Sequence, residues 1–129
     1  MNEVIYSLPV PSTALLKDPE FQKRIRRTCA LVFEYENEVE ENVVVVTIIF
    51  SKIEAFRCTY HMACSLEIVQ NAYDKVIDCG NTEWLKEIKV NLTTSRQDIP
   101  NLSHLAIYFD DGPTYEFICQ EFFVEKEFK

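Results

Sequence analysis

Along much of this chain apolar residues recur at every second position, the period of a half-buried strand. Leu31, Phe33 and Tyr35 alternate with Val32, Glu34 and Glu36, which predicts a strand with one face in water. Asn37 to Asn42 follows as a polar, acidic turn. Val43 to Phe50 is apolar on both sides and largely β-branched, the pattern of a central strand. Ser51-Lys52 reads as a tight link into Ile53–Met62, where Phe56, Cys58, Tyr60 and Met62 alternate with Ala55, Arg57, Thr59 and His61. Three consecutive strands joined by short turns make a meander. Nearer the end, two aromatic-rich runs between His104 and Cys119 flank Asp110-Asp111-Gly112-Pro113 and predict an antiparallel hairpin. Gly112 tolerates a positive φ there, and Pro113 has no N–H with which to continue the ladder. Leu105, Ile107 and Phe109 share one face of the first arm, with His104, Ala106 and Tyr108 on the other. Both faces are apolar, so the hairpin is expected inside a larger sheet.

Helical signals are fewer. Residues 1–13 read as extended, with Pro9 and Pro11 opposing a helix. Asp18-Pro19-Glu20 has the chemistry of a helix start and predicts a short helix over 18–26, with Arg24, Arg26 and Arg27 at its negative end. Asn81 or Thr82 caps a longer helix over 82–92 whose buried stripe is Trp84, Leu85, Ile88 and Leu92. Residues 64–78 carry two patterns. Leu66, Val69, Ala72, Tyr73 and Val76 fall at helical spacing, with Gly80 as a C-cap, yet Tyr73 to Cys79 also reads as a β run. The strand is the preferred reading for that second part. Thr93–Ser103 is a polar loop containing Pro100, and residues 125–129 read as a frayed tail. The expectation is an α+β protein, a single domain over 1–129. Its curved, mainly antiparallel sheet has about five to seven strands, a meander plus a C-terminal hairpin, with one substantial and one short helix.

Composition narrows the function classes. The chain has 129 residues, enough for one core without metal or disulfide support. Its longest apolar run, Val43 to Phe50, is far short of the roughly 20 residues that cross a bilayer. The first residues lack a basic n-region and a long apolar stretch, so the expected location is the cytoplasm, with Cys29, Cys58, Cys64, Cys79 and Cys119 as reduced thiols. The net charge of −8 repels phosphate backbones and anionic lipid and attracts cationic partners. Neither nucleic acid nor a membrane is therefore an expected partner. The charge is uneven. Glu34, Glu36, Glu38, Glu40 and Glu41 make one acidic pole, while Lys17, Lys23, Arg24, Arg26 and Arg27 make a smaller basic one.

Candidate chemistry is dispersed. Cys58-x-x-His61-x-x-Cys64 gathers three metal-capable side chains, but a structural zinc wants four ligands, commonly in two close pairs, and no second pair follows. On a strand, both cysteines would also face away from His61. Asp110 and Asp111 supply two carboxylates and a glycine, fewer oxygen ligands than a calcium loop needs. Only Gly80 and Gly112 are present, which excludes glycine-rich phosphate loops. His61 and His104 lie in no nucleophile motif. No cofactor or metal is expected, and no catalytic residue is assigned. The candidate binding residues are Glu34, Glu36, Glu38, Glu40 and Glu41, with Glu54 on the neighbouring strand, and Asp110 and Asp111 at the hairpin turn.

The stretches Tyr73-Asp-Lys-Val-Ile-Asp78, Glu83-Trp-Leu-Lys-Glu87 and His104 to Cys119 resemble a group of small bacterial proteins of unknown function, some of them similar to immunity proteins carried beside polymorphic toxins. The resemblance covers the C-terminal half and brings no catalytic residues. It implies a strand at 72–79 and a binding role. The functional expectation is a non-catalytic protein-interaction module, immunity-like, that meets a cationic protein through an acidic and aromatic surface. The alternative is a small-ligand-binding or enzymatic barrel-like domain with an apolar cavity. A homo-oligomer joined through sheet edges is a third arrangement.

Overall fold

The computed structural model describes residues 2–95, 98–110 and 112–129. Among them, seven strands form one antiparallel sheet: β1 (Glu3–Ser7), β2 (Glu20–Arg24), β3 (Thr28–Asn37), β4 (Asn42–Thr59), β5 (Lys75–Asp78), β6 (Ser103–Tyr108) and β7 (Thr114–Phe128). Their spatial order is β1-β5-β6-β7-β4-β3-β2, so β1 and β2 are free edges and the sheet is not closed. A short helix, α1 (Leu66–Ala72), and a longer one, α2 (Glu83–Thr93), complete the α+β architecture. No helix among the described residues is long and apolar enough to cross a membrane.

The sheet is strongly curled, and its side-chain contacts require this. Phe21 on β2 stacks on Tyr115 of β7 at 5.3 Å, although two strands lie between them. Tyr6 on β1 meets Phe122 on β7 at 6.3 Å, again across two strands. Flat neighbours sit about 4.8 Å apart, so three steps would separate such rings by roughly 14 Å. The concave side is filled by its own residues, with Phe33, Phe50 and Phe117 fully buried and Phe50 stacked on Phe117 at 3.9 Å. On the convex side, α1 covers Ile77, Ala106 and Tyr108 through Ile68 and Val69, and α2 covers Leu102 and Ile118 through Trp84, Leu85 and Ile88.

The curl is built into the longest pair, β4 and β7. Val44, Val46, Ile48 and Phe50 face the concave core, until Lys52 takes a left-handed φ of 54° and Ile53 inherits that face. Strand β7 changes parity in step, with Phe117 and Cys119 inward before the bend and Phe122 and Val124 inward after it. A register shift between Ile53 and Ala55 marks the bulge. The expected link at Ser51-Lys52 is therefore a bend within one 18-residue strand, not a turn between two. The meander is β2-β3-β4 instead.

Two further expectations change, and the strand preferred for Tyr73 to Cys79 is present as β5. Residues 18–26 do not form a helix: Glu20–Arg24 is strand β2, paired with Val32 to Thr28, and Arg26 and Arg27 turn with φ of 58° and 54°. The capping chemistry of Asp18-Pro19 is local, and burying Phe21 against Tyr115 and Phe56 outweighs it. Residues 64–78 use both of their patterns in succession, helix α1 and then strand β5, with Asp74 turning between them at φ 56°. The tail is not frayed, because β7 pairs with β4 as far as Phe128 opposite Val44. The hairpin stands as expected inside the sheet, with Gly112 at φ 73°.

Phe50→Ala removes one ring of the closest aromatic stack in the concave core. Urea unfolding should show a stability loss of about 3–5 kcal/mol. A loss below about 1 kcal/mol would mean the curl does not depend on this stack.

Candidate functional site

Strand parity assembles a polar chain on the convex face beneath the helices. His104 on β6, Glu116 on β7 and Arg57 on β4 share this face, since Arg57 lies opposite Glu116, and His104 lies opposite Ile118, two residues along. The Glu116 carboxylate accepts from Arg57 Nε at 2.9 Å and Nη2 at 3.1 Å, and lies 2.9 Å from His104 Nε2. His104 Nδ1 is 2.8 Å from Thr82 Oγ1, the N-cap of α2, which also accepts from the Leu85 N–H. A carboxylate can only accept, so Nε2 carries a hydrogen and donates it to Glu116. The Arg57 guanidinium lies 4.1 Å from the centre of the Trp84 ring, whose edge meets His104.

Burial alone would raise the Glu116 carboxyl, but hydrogen bonds from His104 and Arg57, with the charge of Arg57, bring it down to about 2. It is therefore a fixed anion and a poor proton acceptor at neutral pH. His104 is 3% exposed with both ring nitrogens engaged. Burial, then the charges of Glu116 and Asp78, push the nearby Cys79 thiol up to about 12, which keeps it protonated. A groove of about 370 Å³ opens over Arg57, Thr82, Trp84 and Glu116. These groups brace three strands against the start of α2.

The acidic residues separate into three places. Glu34, 9% exposed, is clasped by Lys17 at 2.9 Å and Lys129 at 3.0 Å, and these two hydrogen bonds hold its carboxyl below the usual range. Glu36, Glu38, Glu40 and Glu41 are exposed at the β3–β4 hairpin tip, where Asn37 Oδ1 accepts from the Val39 and Glu40 N–H groups. None of these four has an ion-pair partner among the described residues. Glu54 lies at the opposite end of β3, paired with Arg27, and does not join the tip. Asp110 stands at the second hairpin, where its Oδ1 accepts from the Tyr73 hydroxyl at 2.8 Å and its N–H donates to Ser12 Oγ. Asp111 lies outside the described residues.

The sequence pattern missed one part of the acidic pole. Glu125 lies opposite Thr47 and Glu127 opposite Val45, which is itself opposite Glu34, so both carboxylates share the convex face with Glu34 and Glu36. Between them run Val43, Val45, Thr47 and Ile49, half-buried, and Phe123, exposed. Among the described residues the helices' apolar partners include none of these, so neither helix covers this part of the convex face.

Cys58 is exposed on β4, and Cys64 Sγ lies 3.0 Å from Thr114 Oγ1, while the His61 side chain lies outside the described residues. Among the described residues no three His, Cys, Asp or Glu side chains gather to hold a metal ion. By architecture this is an α+β protein with an open, curled antiparallel sheet and two helices on its convex side. Comparison with known proteins finds no matching family model, no matching curated protein and no matching solved structure.

The Glu116 shift has a pH consequence. A carboxyl whose pKa falls from 4.5 unfolded to about 2 folded stabilises fully above pH 4.5 and loses that contribution as pH falls toward 2. Glu116→Gln should cost up to about 3 kcal/mol at neutral pH. In urea titrations the gap from wild type should narrow steadily between pH 4.5 and 2, and a gap independent of pH would refute the bridging role.

Proposed function

We propose that this protein is a non-catalytic interaction module that receives a cationic protein partner on its acidic end. The reading rests on one observation above all. Half of the convex sheet face carries half-exposed aliphatic residues and no helix, and carboxylates without ion-pair partners among the described residues surround it: Glu36, Glu38, Glu40, Glu41, Glu125 and Glu127. An apolar strip rimmed by charge of one sign is suited to a protein surface of the opposite sign. Within this acidic end Glu34 is the carboxylate that described lysines neutralise, through Lys17 and Lys129. The resemblance to immunity proteins agrees with a binding role, and on that reading the partner is a basic toxin domain.

A cavity-bearing ligand domain is the weaker reading, because aromatic rings occupy the concave side.

The experiment is a pull-down from a native lysate at low and high salt, with wild type and with Glu36, Glu38, Glu40 and Glu41 all changed to Lys. These positions are exposed, so the variant should fold normally. A cationic protein should be retained by wild type at low salt, and recovery should fall at least about tenfold with the variant and with added salt. Recovery unchanged by both would remove the electrostatic reading.

A further inference from the structure

The strands of the meander differ in length, and this leaves part of one edge open. Strand β3 pairs with β4 as far as Asn37 opposite Asn42, whereas β2 covers β3 only as far as Val32. The Leu16 N–H reaches the Glu34 carbonyl at 3.0 Å, and beyond that bond no strand lies beside β3 on this side. In an antiparallel strand, alternate residues direct both backbone groups to the same side. The Glu34 carbonyl points toward the β2 side, so the N–H and C=O of Glu36 point there too, into a groove of about 530 Å³. Val10, Leu16 and Tyr35 line it with apolar surface, and Glu36 and Glu38 with carboxylates.

We propose that this groove takes an extended segment of a basic protein, added to the sheet as a short strand in line with β2. Backbone groups of Glu36 would pair with one residue of that segment. The residue opposite Glu36 shares its convex side and is therefore Lys or Arg, held by Glu36 with Glu38 nearby. Its two neighbours point to the other side, over Val10 and Leu16, and are apolar. The expected ligand is thus an extended stretch that alternates basic and apolar residues. This inference rests on the reading of the acidic end as a partner surface, and adds the mode of attachment.

A capped, fluorescent Lys-Val-Lys-Val-Lys peptide, its central-lysine N-methylated counterpart and Glu-Val-Glu-Val-Glu are the probes. Anisotropy should detect binding of the first, and none of the glutamate peptide, at low salt. N-methylation, which deletes the strand-pairing N–H but keeps the charge, should weaken binding about tenfold. Glu36→Lys should weaken it at least as much, and amide exchange at Glu36 should slow in the presence of the parent peptide. Equal affinity of parent and N-methylated peptides overturns the strand addition, even where Glu36→Lys still weakens both and the charged surface itself stands. Failure of the parent peptide to bind also overturns it, while retention of a cationic protein in the pull-down is decided separately.

Discussion

The pairing of β4 with β7 is the constraint on which the other elements depend. It is the longest ladder in the molecule and runs through the middle of the sheet. Because β7 changes parity while β4 takes up an extra residue at the bulge, the ladder bends and the concave face stays apolar on both sides of the bend. The bend brings the outer strands round so that Phe21 reaches Tyr115 and Tyr6 reaches Phe122. Without it, an open seven-stranded sheet would need a second layer to cover that face. With it, the sheet supplies its own second layer, and the two helices are left to cover only part of the outside.

That division of the outside organises the chemistry. Where the helices sit, His104 and Glu116 are buried and satisfied, Arg57 meets them from the surface, and the Thr82–His104–Glu116–Arg57 chain ties the start of α2 to three strands. Buried ionic groups of this kind give little net stability, but losing one partner strands the others. Where no helix sits, exposed carboxylates border half-buried aliphatic side chains. The enclosed network and the exposed acidic end are thus opposite outcomes of one architectural choice.

Much of the fold was legible because it rests on periodicity. Strand β3, the closing hairpin and α2 announce themselves through alternation or a capped apolar stripe. The failures share a physical cause: a local signal competed with a distant partner. Asp18-Pro19-Glu20 looks like a helix start, yet Phe21 gains more from two aromatic neighbours far along the chain. Ser51-Lys52 looks like a turn, yet β7 makes the matching shift and keeps the strand continuous. The site was half legible. The hairpin-tip glutamates stood out as a run, whereas Glu125 and Glu127 joined them only through cross-strand register. Glu116 had its own signal, an acid between Tyr115 and Phe117 in an otherwise apolar strand, a position that demands a buried partner.

The matched bend also limits how the two central strands can be edited. Deleting a single residue from β7 near Gln120 would send the side chains on one side of the cut to the wrong face, moving Phe117 outward and Glu116 inward. Length changes are therefore expected to be tolerated in the hairpin tips and loops, while the segments flanking the bend keep a constant residue count.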